Sequence, residues 1–329
     1  MIVDTLTHVW ESPDQLGRRA PATAASPAAR ALVAARRVKD PLADRLLHAD
    51  PLEHFESLGP VDIALVFSFQ SRLTETKIPH KLVADYVASH PDRLVGVAGI
   101  DPTSPDSAAE LAAAVDRMGF KAAAISPSAQ GFHPLDSRVQ SFCQEVVRRD
   151  LPLFVYPGPA PSPLAKGELA DPMLLDELLR EFPALRIVLG GLNLPWIDRA
   201  FGLMLKQPTV LASIGGLLRS PWQAYNALVA AQELNVLDRL LFASDLPFAA
   251  PAACIEALYS INRLAHGTGL PTVPRELLRG VVERDSLALL GIDSPGSAAG
   301  AARAATPHED RPDSALPQPT DRSAEIHTN

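Results

Sequence analysis

The chain has 329 residues, a formal net charge of −8 and an apolar fraction of 47%, which is that of a globular protein with one large or two small domains. The negative charge argues against nucleic acid as a partner, because phosphate binding needs a basic surface. No apolar run is long enough to span a membrane, and no secretory signal precedes the first predicted strand. Cys143 and Cys254 stand far apart in helical contexts and predict buried thiols, so we expect a reducing, cytoplasmic location without a membrane partner.

Short β-rich runs alternate with amphipathic patterns along most of the chain. Several runs are almost continuously apolar, as buried parallel strands are. The patterns PHKLVADYVASHP and DPMLLDELLREFP predict helices, and the second begins with the N-cap and N1 pair Asp171 and Pro172. The predicted strands are Ile2–Leu6, Val61–Phe69, Leu94–Ile100, Phe120–Ser126, Leu153–Tyr156, Arg186–Leu189, Val210–Ile214 and Leu240–Ala243.

This alternation predicts a single α/β domain over residues 1–293, the closed (β/α)8 or TIM barrel. An open doubly wound sheet is the alternative, and the absence of a Gly-rich phosphate turn after the first strand disfavours it. Residues 11–45 are rich in Ala, Arg and Pro and form an insertion after the first strand, where they could serve as a lid over the barrel mouth. Residues 294–329 lack apolar periodicity and predict a disordered tail.

Polar side chains stand at the ends of the first and the last predicted strand. Because side chains alternate along a strand, Asp4, Leu6 and His8 should share the face that lines the barrel interior. In LLFASDLP, Asp245 closes the eighth strand on its inward face. A buried aspartate at such a position needs a partner or a function.

The chain resembles the amidohydrolase-related proteins of the amidohydrolase superfamily, in the branch of aminocarboxymuconate-semialdehyde decarboxylase and of lactonases. This resemblance implies a (β/α)8 barrel with a metal site made by His-x-His on strand one, one His on each of strands five and six, and an Asp on strand eight. The matching stretches run in order from residue 3 to about 292 and are VDTLTHVW, VADYVASHPDRLVGVAGIDP, GFHPLDSR, LPLFVYPG, FPALRIVLGGLNLPW and LLFASDLP.

Three of the five positions that this resemblance implies carry other residues. His8 and Asp245 match, whereas Leu6, Tyr156 and Gly191 stand where the remaining histidines belong. Catalytic zinc normally has three protein ligands, leucine and glycine donate nothing, and a phenol stays protonated near neutral pH. The sequence therefore predicts no metal cofactor, although magnesium held jointly with a substrate stays open.

Without a cation, a buried Asp245 must find His8, Tyr156 or a backbone donor, or its pKa should rise. We therefore hypothesise that Asp245 and His8 form a metal-free acid/base pair and that Tyr156 donates a hydrogen bond to a developing oxyanion. The expected partner is a small organic acid, lactone or polyketide-like intermediate. Family analogy ranks hydrolysis or decarboxylation first, and dehydration, cyclisation or isomerisation after them.

Other residues near the predicted mouth are candidates for substrate contact. Trp10 and Trp196 could equally cover the barrel rim, and a surface loop histidine such as His133 is more often solvated than functional. Asp4 lies lower and is predicted to be a structural hydrogen-bond acceptor. The insertion carries four arginines that could clamp a carboxylate: Arg18, Arg19, Arg36 and Arg37. The candidate substrate contacts are Trp10, Ser126, His133, Asn193 and Trp196.

Two further hypotheses compete with a metal-free enzyme. One is a non-catalytic barrel kept as a binding or scaffold partner, which should show the vacated metal cavity filled by Leu6, Phe154 and other apolar side chains. The other is a metallohydrolase with ligands supplied unconventionally. Assembly into a homo-oligomer is also open.

Overall fold

The computed structural model describes residues 1–17 and 49–295. In this part of the chain eight parallel strands form one sheet, and a small antiparallel hairpin of two further strands follows the second barrel strand. All eight predicted strands are confirmed, with ends that differ by a few residues. The strands are β1 (Val3–His8), β2 (Ile63–Phe67), β3 (Phe69–Ser71), β4 (Thr76–Ile78), β5 (Leu94–Gly99), β6 (Ala122–Ile125), β7 (Leu153–Val155), β8 (Ile187–Leu189), β9 (Val210–Ser213) and β10 (Leu240–Leu241).

Hydrogen bonds between the first strand and the segment that follows the last strand close most of the sheet into a barrel. The sheet order runs from β1 through β2 and β5 to β10, each parallel to its neighbour. Beyond the short β10, the backbone N–H of Thr5 donates to the carbonyl of Phe242 at 3.0 Å, and that of His8 donates to Leu246 at 2.8 Å. The result is a nearly closed TIM barrel in one domain.

Helices separate most of the strands and cover the outside of the barrel. Both predicted helices are confirmed, although the second begins as a 3-10 helix, Pro172–Leu175, before the α-helix Asp176–Glu181. Asp171 caps the 3-10 helix by accepting from the backbone N–H of Met173 at 3.0 Å. None of the helices in the described ranges is long and apolar enough to cross a membrane. The α-helices are α1 (Pro51–Ser57), α2 (His80–Ser89), α3 (Ser107–Met118), α4 (Pro127–Gln130), α5 (Ser137–Arg148), α6 (Asp176–Glu181), α7 (Ile197–Lys206), α8 (Pro221–Glu233), α9 (Pro251–Tyr259), α10 (Arg275–Glu283) and α11 (Ser286–Leu290).

The predicted insertion and tail fall mostly outside the described residues. Of the insertion, residues 11–17 are described and contain a short 3-10 helix, Pro13–Leu16, capped by Ser12. The chain is described again from Ala49, whose carbonyl accepts from the backbone N–H of Trp10 at 3.0 Å. Arg18, Arg19, Arg36 and Arg37 lie outside the described residues, so their role and the domain boundary at residue 293 stay predictions.

Candidate functional site

Asp245 follows β10 at the carboxyl end of the barrel. Its backbone has a φ of 64°, the left-handed region that is uncommon for residues other than glycine, and its N–H donates to the carbonyl of Leu6 at 3.1 Å. This bond anchors the residue to the first strand. Uncommon backbone conformations of this kind concentrate at functional sites.

The charged partner of Asp245 is Arg219, which the sequence analysis missed. Arg219 ends a 3-10 helix, Leu217–Arg219, in the loop after β9, and its Nη2 lies 3.2 Å from Oδ2 of Asp245. Burial raises the pKa of Asp245 to about 7, against a smaller lowering by Arg219, while the charge of Asp4 raises it further. Of the alternatives expected for a buried Asp245, a raised pKa is the one that these surroundings favour, and such a group can exchange a proton near neutral pH.

His8 does not form the expected hydrogen bond with Asp245. Its ring is fully buried between Phe67 and Tyr156, with ring centroids at 5.6 and 5.7 Å, and neither ring nitrogen has a hydrogen-bond partner among the described residues. Burial, with a smaller contribution from His54, lowers the pKa of His8 to about 3. His8 is therefore a neutral imidazole at physiological pH, and the direct pairing proposed from the sequence is wrong.

Tyr156 lies directly after β7 and stacks on His8 with an angle of 18° between the ring planes. Its hydroxyl is buried without a hydrogen-bond partner in the described structure. Burial, and then the charge of Asp245, raise the pKa of Tyr156 well above the ordinary value of a phenol. The phenol therefore stays protonated and keeps an unused O–H donor beside the site.

The described residues do not fit the metal site that the resemblance implies. Leu6 is buried, and Gly191 adopts a φ of 62° and has only backbone groups, of which the N–H donates to the Ser213 hydroxyl. No group of three His, Cys, Asp or Glu side chains in residues 1–17 and 49–295 is arranged to hold a metal ion. With His8 held between aromatic rings and Asp245 beside a guanidinium, these donors form no three-ligand site.

Asp4 has the structural role that the sequence analysis predicted. Its carboxylate accepts from the hydroxyl of Ser244 at 2.5 Å, from the N–H of Ser244 at 3.0 Å and from the N–H of Leu6 at 3.4 Å. Burial raises its pKa to about 6 in spite of these donors. Asp4 thus ties the first strand to the segment that carries Asp245.

The five candidate substrate contacts do not share one surface. Trp10 is fully buried, and its indole N–H has no partner among the described residues. Ser126 is also buried and uses its hydroxyl to cap α4, so a substrate contact by Ser126 stays a prediction. His133 is exposed and accepts from the N–H of Leu135. Trp196 is half-buried under the guanidinium of Arg199.

Asn193 is the candidate that lies beside Tyr156. The two residues line one narrow cleft of about 10 Å³, together with Ser128 and Leu169. The side-chain N–H of Asn193 donates to the carbonyl of Ala170 at 2.7 Å, while its side-chain oxygen is buried without a partner in the described structure. A substrate can reach Tyr156 here only if this cleft widens.

His54 is a second residue whose surroundings the sequence did not reveal. It lies on α1, its side chain is buried, and its Nδ1 is 2.8 Å from the hydroxyl of Tyr86. A helix pattern containing HFE gives no indication of such a partner. Arg219, by contrast, could have been found from the sequence. In GGLLR, two glycines follow the end of a strand, and the arginine comes three residues after the second glycine.

The absence of a side chain at position 190 makes room for Tyr156. A Cβ added to Gly190 would lie 2.3 Å from the Cβ of Tyr156, a distance that real side chains do not reach. We expect Gly190→Ala to lower the free energy of unfolding by about 2 kcal/mol, measured by urea denaturation, because the Tyr156 ring is fixed by its neighbours. Gly167→Ala, where nothing lies within 4 Å of an added Cβ, is the matched control. Equal stability of the two variants would contradict this account.

A family model described as Amidohydrolase matches residues 3–292. The structure is similar to an uncharacterised TIM-barrel protein from Bordetella bronchiseptica, with 17% identity, a TM-score of 0.63, and coverage of 88% of this chain and 98% of that one. The search of curated proteins finds no match.

Two structures with assigned activities are also similar. One is a probable 2-pyrone-4,6-dicarboxylic acid hydrolase from Acinetobacter baumannii with citric acid bound, at 15% identity, TM-score 0.58 and coverage of 88% and 99% of the two chains. The other is a dihydroxybenzoic acid decarboxylase from Polaromonas with bound manganese and 2-nitroresorcinol, at 15% identity, TM-score 0.59 and coverage of 88% and 96%. At these identities the likeness establishes the fold.

Proposed function

Because the chain belongs to the amidohydrolase family, we propose that it is an enzyme that hydrolyses or decarboxylates a small organic acid or lactone without a catalytic metal. The observation that carries this proposal is Asp245, a carboxyl group at the barrel mouth whose pKa is raised by burial to about 7. A group with this pKa accepts or donates a proton at neutral pH without the help of a cation. The two structural neighbours act, by their names, on carboxylated ring compounds, which supports the substrate class.

For hydrolysis, the ionised Asp245 takes a proton from the water that adds to the ester carbonyl. The C–O bond to the leaving oxygen then breaks, and the protonated Asp245 returns the proton to that oxygen. The unpartnered O–H of Tyr156 is the donor for the negative charge on the carbonyl oxygen, once the cleft beside Asn193 has widened.

For decarboxylation, the protonated Asp245 acts first. It donates its proton to the carbon that bears the carboxylate, and the C–C bond then breaks to release carbon dioxide. In both reactions the neutral His8 packs against the Tyr156 ring and offers an uncharged nitrogen for hydrogen bonding. The two reactions therefore require opposite protonation states of Asp245 at the start of the reaction.

A non-catalytic binding barrel is the second candidate, and one observation favours it. The interior below the mouth is filled by buried side chains, namely Leu6, Phe67, Phe154 and Tyr156, and the rings of Phe67 and Phe154 meet edge to face at 5.1 Å. An interior packed in this way suits a scaffold. Asp245 nevertheless keeps 15% of its side chain exposed beside Arg219, which supports a site that a ligand can reach.

The test is a substrate panel applied to purified protein. It contains pyrone carboxylates, sugar-acid lactones, β-keto acids and hydroxybenzoates, and turnover is followed by absorbance and by release of carbon dioxide. Turnover of one class supports the enzyme, whereas binding without turnover across the panel supports the scaffold.

We expect this turnover to survive removal of divalent metals. After treatment with a chelator and gel filtration, elemental analysis should give far less than one metal ion per chain, because the described donors make no three-ligand site. kcat should stay within about twofold of the untreated protein, since Asp245 has its proton-transfer pKa without an ion. Loss of activity that added manganese or zinc restores would contradict the metal-free mechanism.

A further inference from the structure

We propose that Arg219 is the anion-binding residue of the barrel mouth and that it holds a carboxylate of the substrate next to Asp245. This inference rests on the proposed function and names the group that recognises the acid. Arg219 lies in the loop after β9, at the same end of the barrel as Asp245, and 35% of its side chain is exposed. A ligand in solvent can therefore reach its guanidinium.

Within residues 1–17 and 49–295, most hydrogen-bond donors of this guanidinium have no acceptor. A guanidinium carries five N–H groups in a planar fork that matches a carboxylate. The contacts of Arg219 with charged or carbonyl oxygens are Nη2 to Oδ2 of Asp245 at 3.2 Å and Nε to the carbonyl of Gly216 at 3.4 Å. The remaining N–H groups can bind both oxygens of a substrate carboxylate.

The guanidinium is also held in place. Its central carbon lies 5.4 Å from the centre of the Phe248 ring, and that ring packs against Trp10 at 6.1 Å. Arginine on an aromatic face is stabilised by cation–π attraction and loses little further freedom when it binds a ligand. The ring of Phe248 thus lies beside the anion site, and the buried Trp10 packs against that ring.

Gly216, whose backbone lies next to Arg219 and Asp245, has no side chain. Gly216 has a φ of 75°, and a Cβ built on it would lie 3.0 Å from Nη2 of Arg219 and 3.2 Å from Oδ2 of Asp245. Glycine therefore lets the cation and the carboxyl group approach each other over the backbone. A negatively charged substrate that approached Asp245 alone would be repelled, and the guanidinium at 3.2 Å offsets this repulsion.

The experiment measures binding of benzoate, and of its neutral analogue benzamide, by titration calorimetry. The full-length chain is used as wild type, Arg219→Met, Arg219→Lys and Arg93→Met. Arg93 is the matched control, because its guanidinium also lies over a phenylalanine, Phe55 at 5.1 Å, but just before β5 at the opposite end of the barrel. Thermal melts establish that each variant is folded.

We expect Arg219→Met to weaken benzoate binding at least about tenfold and Arg93→Met to leave it within about twofold. Arg219→Lys should lose part of the affinity for benzoate, because lysine keeps the charge without the planar fork of hydrogen-bond donors. If Arg219→Met does not fold, Arg219→Lys is the variant that tests the proposal. Unchanged affinity in the Arg219 variants, equal binding of benzamide, or no saturable binding of benzoate to wild type would overturn the proposal. Benzoate binding can be measured without any turnover, so the two proposals can fail independently. A protein that binds benzoate through Arg219 but turns over no compound of the substrate panel would contradict the proposed reaction and leave the anion site supported.

Discussion

Asp245→Asn should lower kcat/KM by about 10²–10⁴-fold on the substrate that the panel identifies, because an amide can neither take nor return the proton. The change keeps the size of the side chain, so substrate binding at Arg219 should persist. Asp116→Asn is the matched control, since Asp116 is an exposed carboxylate that pairs with Arg149 away from the barrel mouth. Activity of Asp245→Asn within a few-fold of wild type would remove Asp245 from the mechanism.

The pH profile of the wild-type enzyme then distinguishes the two reactions. If ionised Asp245 acts first, as in hydrolysis, kcat/KM rises with pH through about 7, and if protonated Asp245 acts first, as in decarboxylation, it falls there. In either case the ionisation near 7 belongs to the free enzyme and should be absent from the residual activity of Asp245→Asn.

The same substitution should make the protein more stable at alkaline pH. Because burial raises the pKa of folded Asp245 from 3.8 to about 7, the folded state binds this proton more tightly than the unfolded state does. The contribution of Asp245 to stability therefore falls as the pH rises from about 4 to 7, and its loss is complete above the folded pKa. Asn carries no charge at any pH, so Asp245→Asn should gain about 4 kcal/mol in the free energy of unfolding at pH 8 and little at pH 4.

Urea denaturation of both proteins at pH 4, 6 and 8 measures this difference. Asp4 contributes a pH dependence of the same sign in both proteins. Its charge also raises the pKa of Asp245, so the comparison measures Asp245 together with this coupling. In Asp116 the hydrogen bond with Arg149 lowers the pKa, so Asp116→Asn should show no gain at pH 8. A stability difference between wild type and Asp245→Asn that does not change with pH would contradict the raised pKa.

Much of the fold could be predicted because the barrel strands are nearly continuous apolar runs, and burial on both faces of a parallel sheet requires such runs. The hairpin of Phe69–Ser71 and Thr76–Ile78 was not predicted, since the first of these strands continues the apolar run of β2 in the sequence. The position of Tyr156 after a strand could be predicted for the same reason. Its depth could not, because that depth depends on Gly190, a neighbour 34 residues away in the sequence.

The pairing within the site was harder to foresee. Strict alternation along β1 put Asp4 and His8 on one face, but the register with β2 shifts between Asp4 and Thr7. Asp4 binds Ser244 instead, and His8 packs between aromatic rings. The partnership of Arg219 with Asp245 depends on the turn at Gly215 and Gly216, and such long-range contacts leave no periodic pattern in a sequence.

The close approach of Gly190 to Tyr156 also limits how this part of the barrel can be redesigned. A Cβ at 190 would lie 2.3 Å from the Cβ of Tyr156, an atom that every residue except glycine carries. Position 156 can therefore be varied widely as long as position 190 keeps its glycine. A library that varies both positions should return glycine at 190 in the variants that keep the stability of the parent protein.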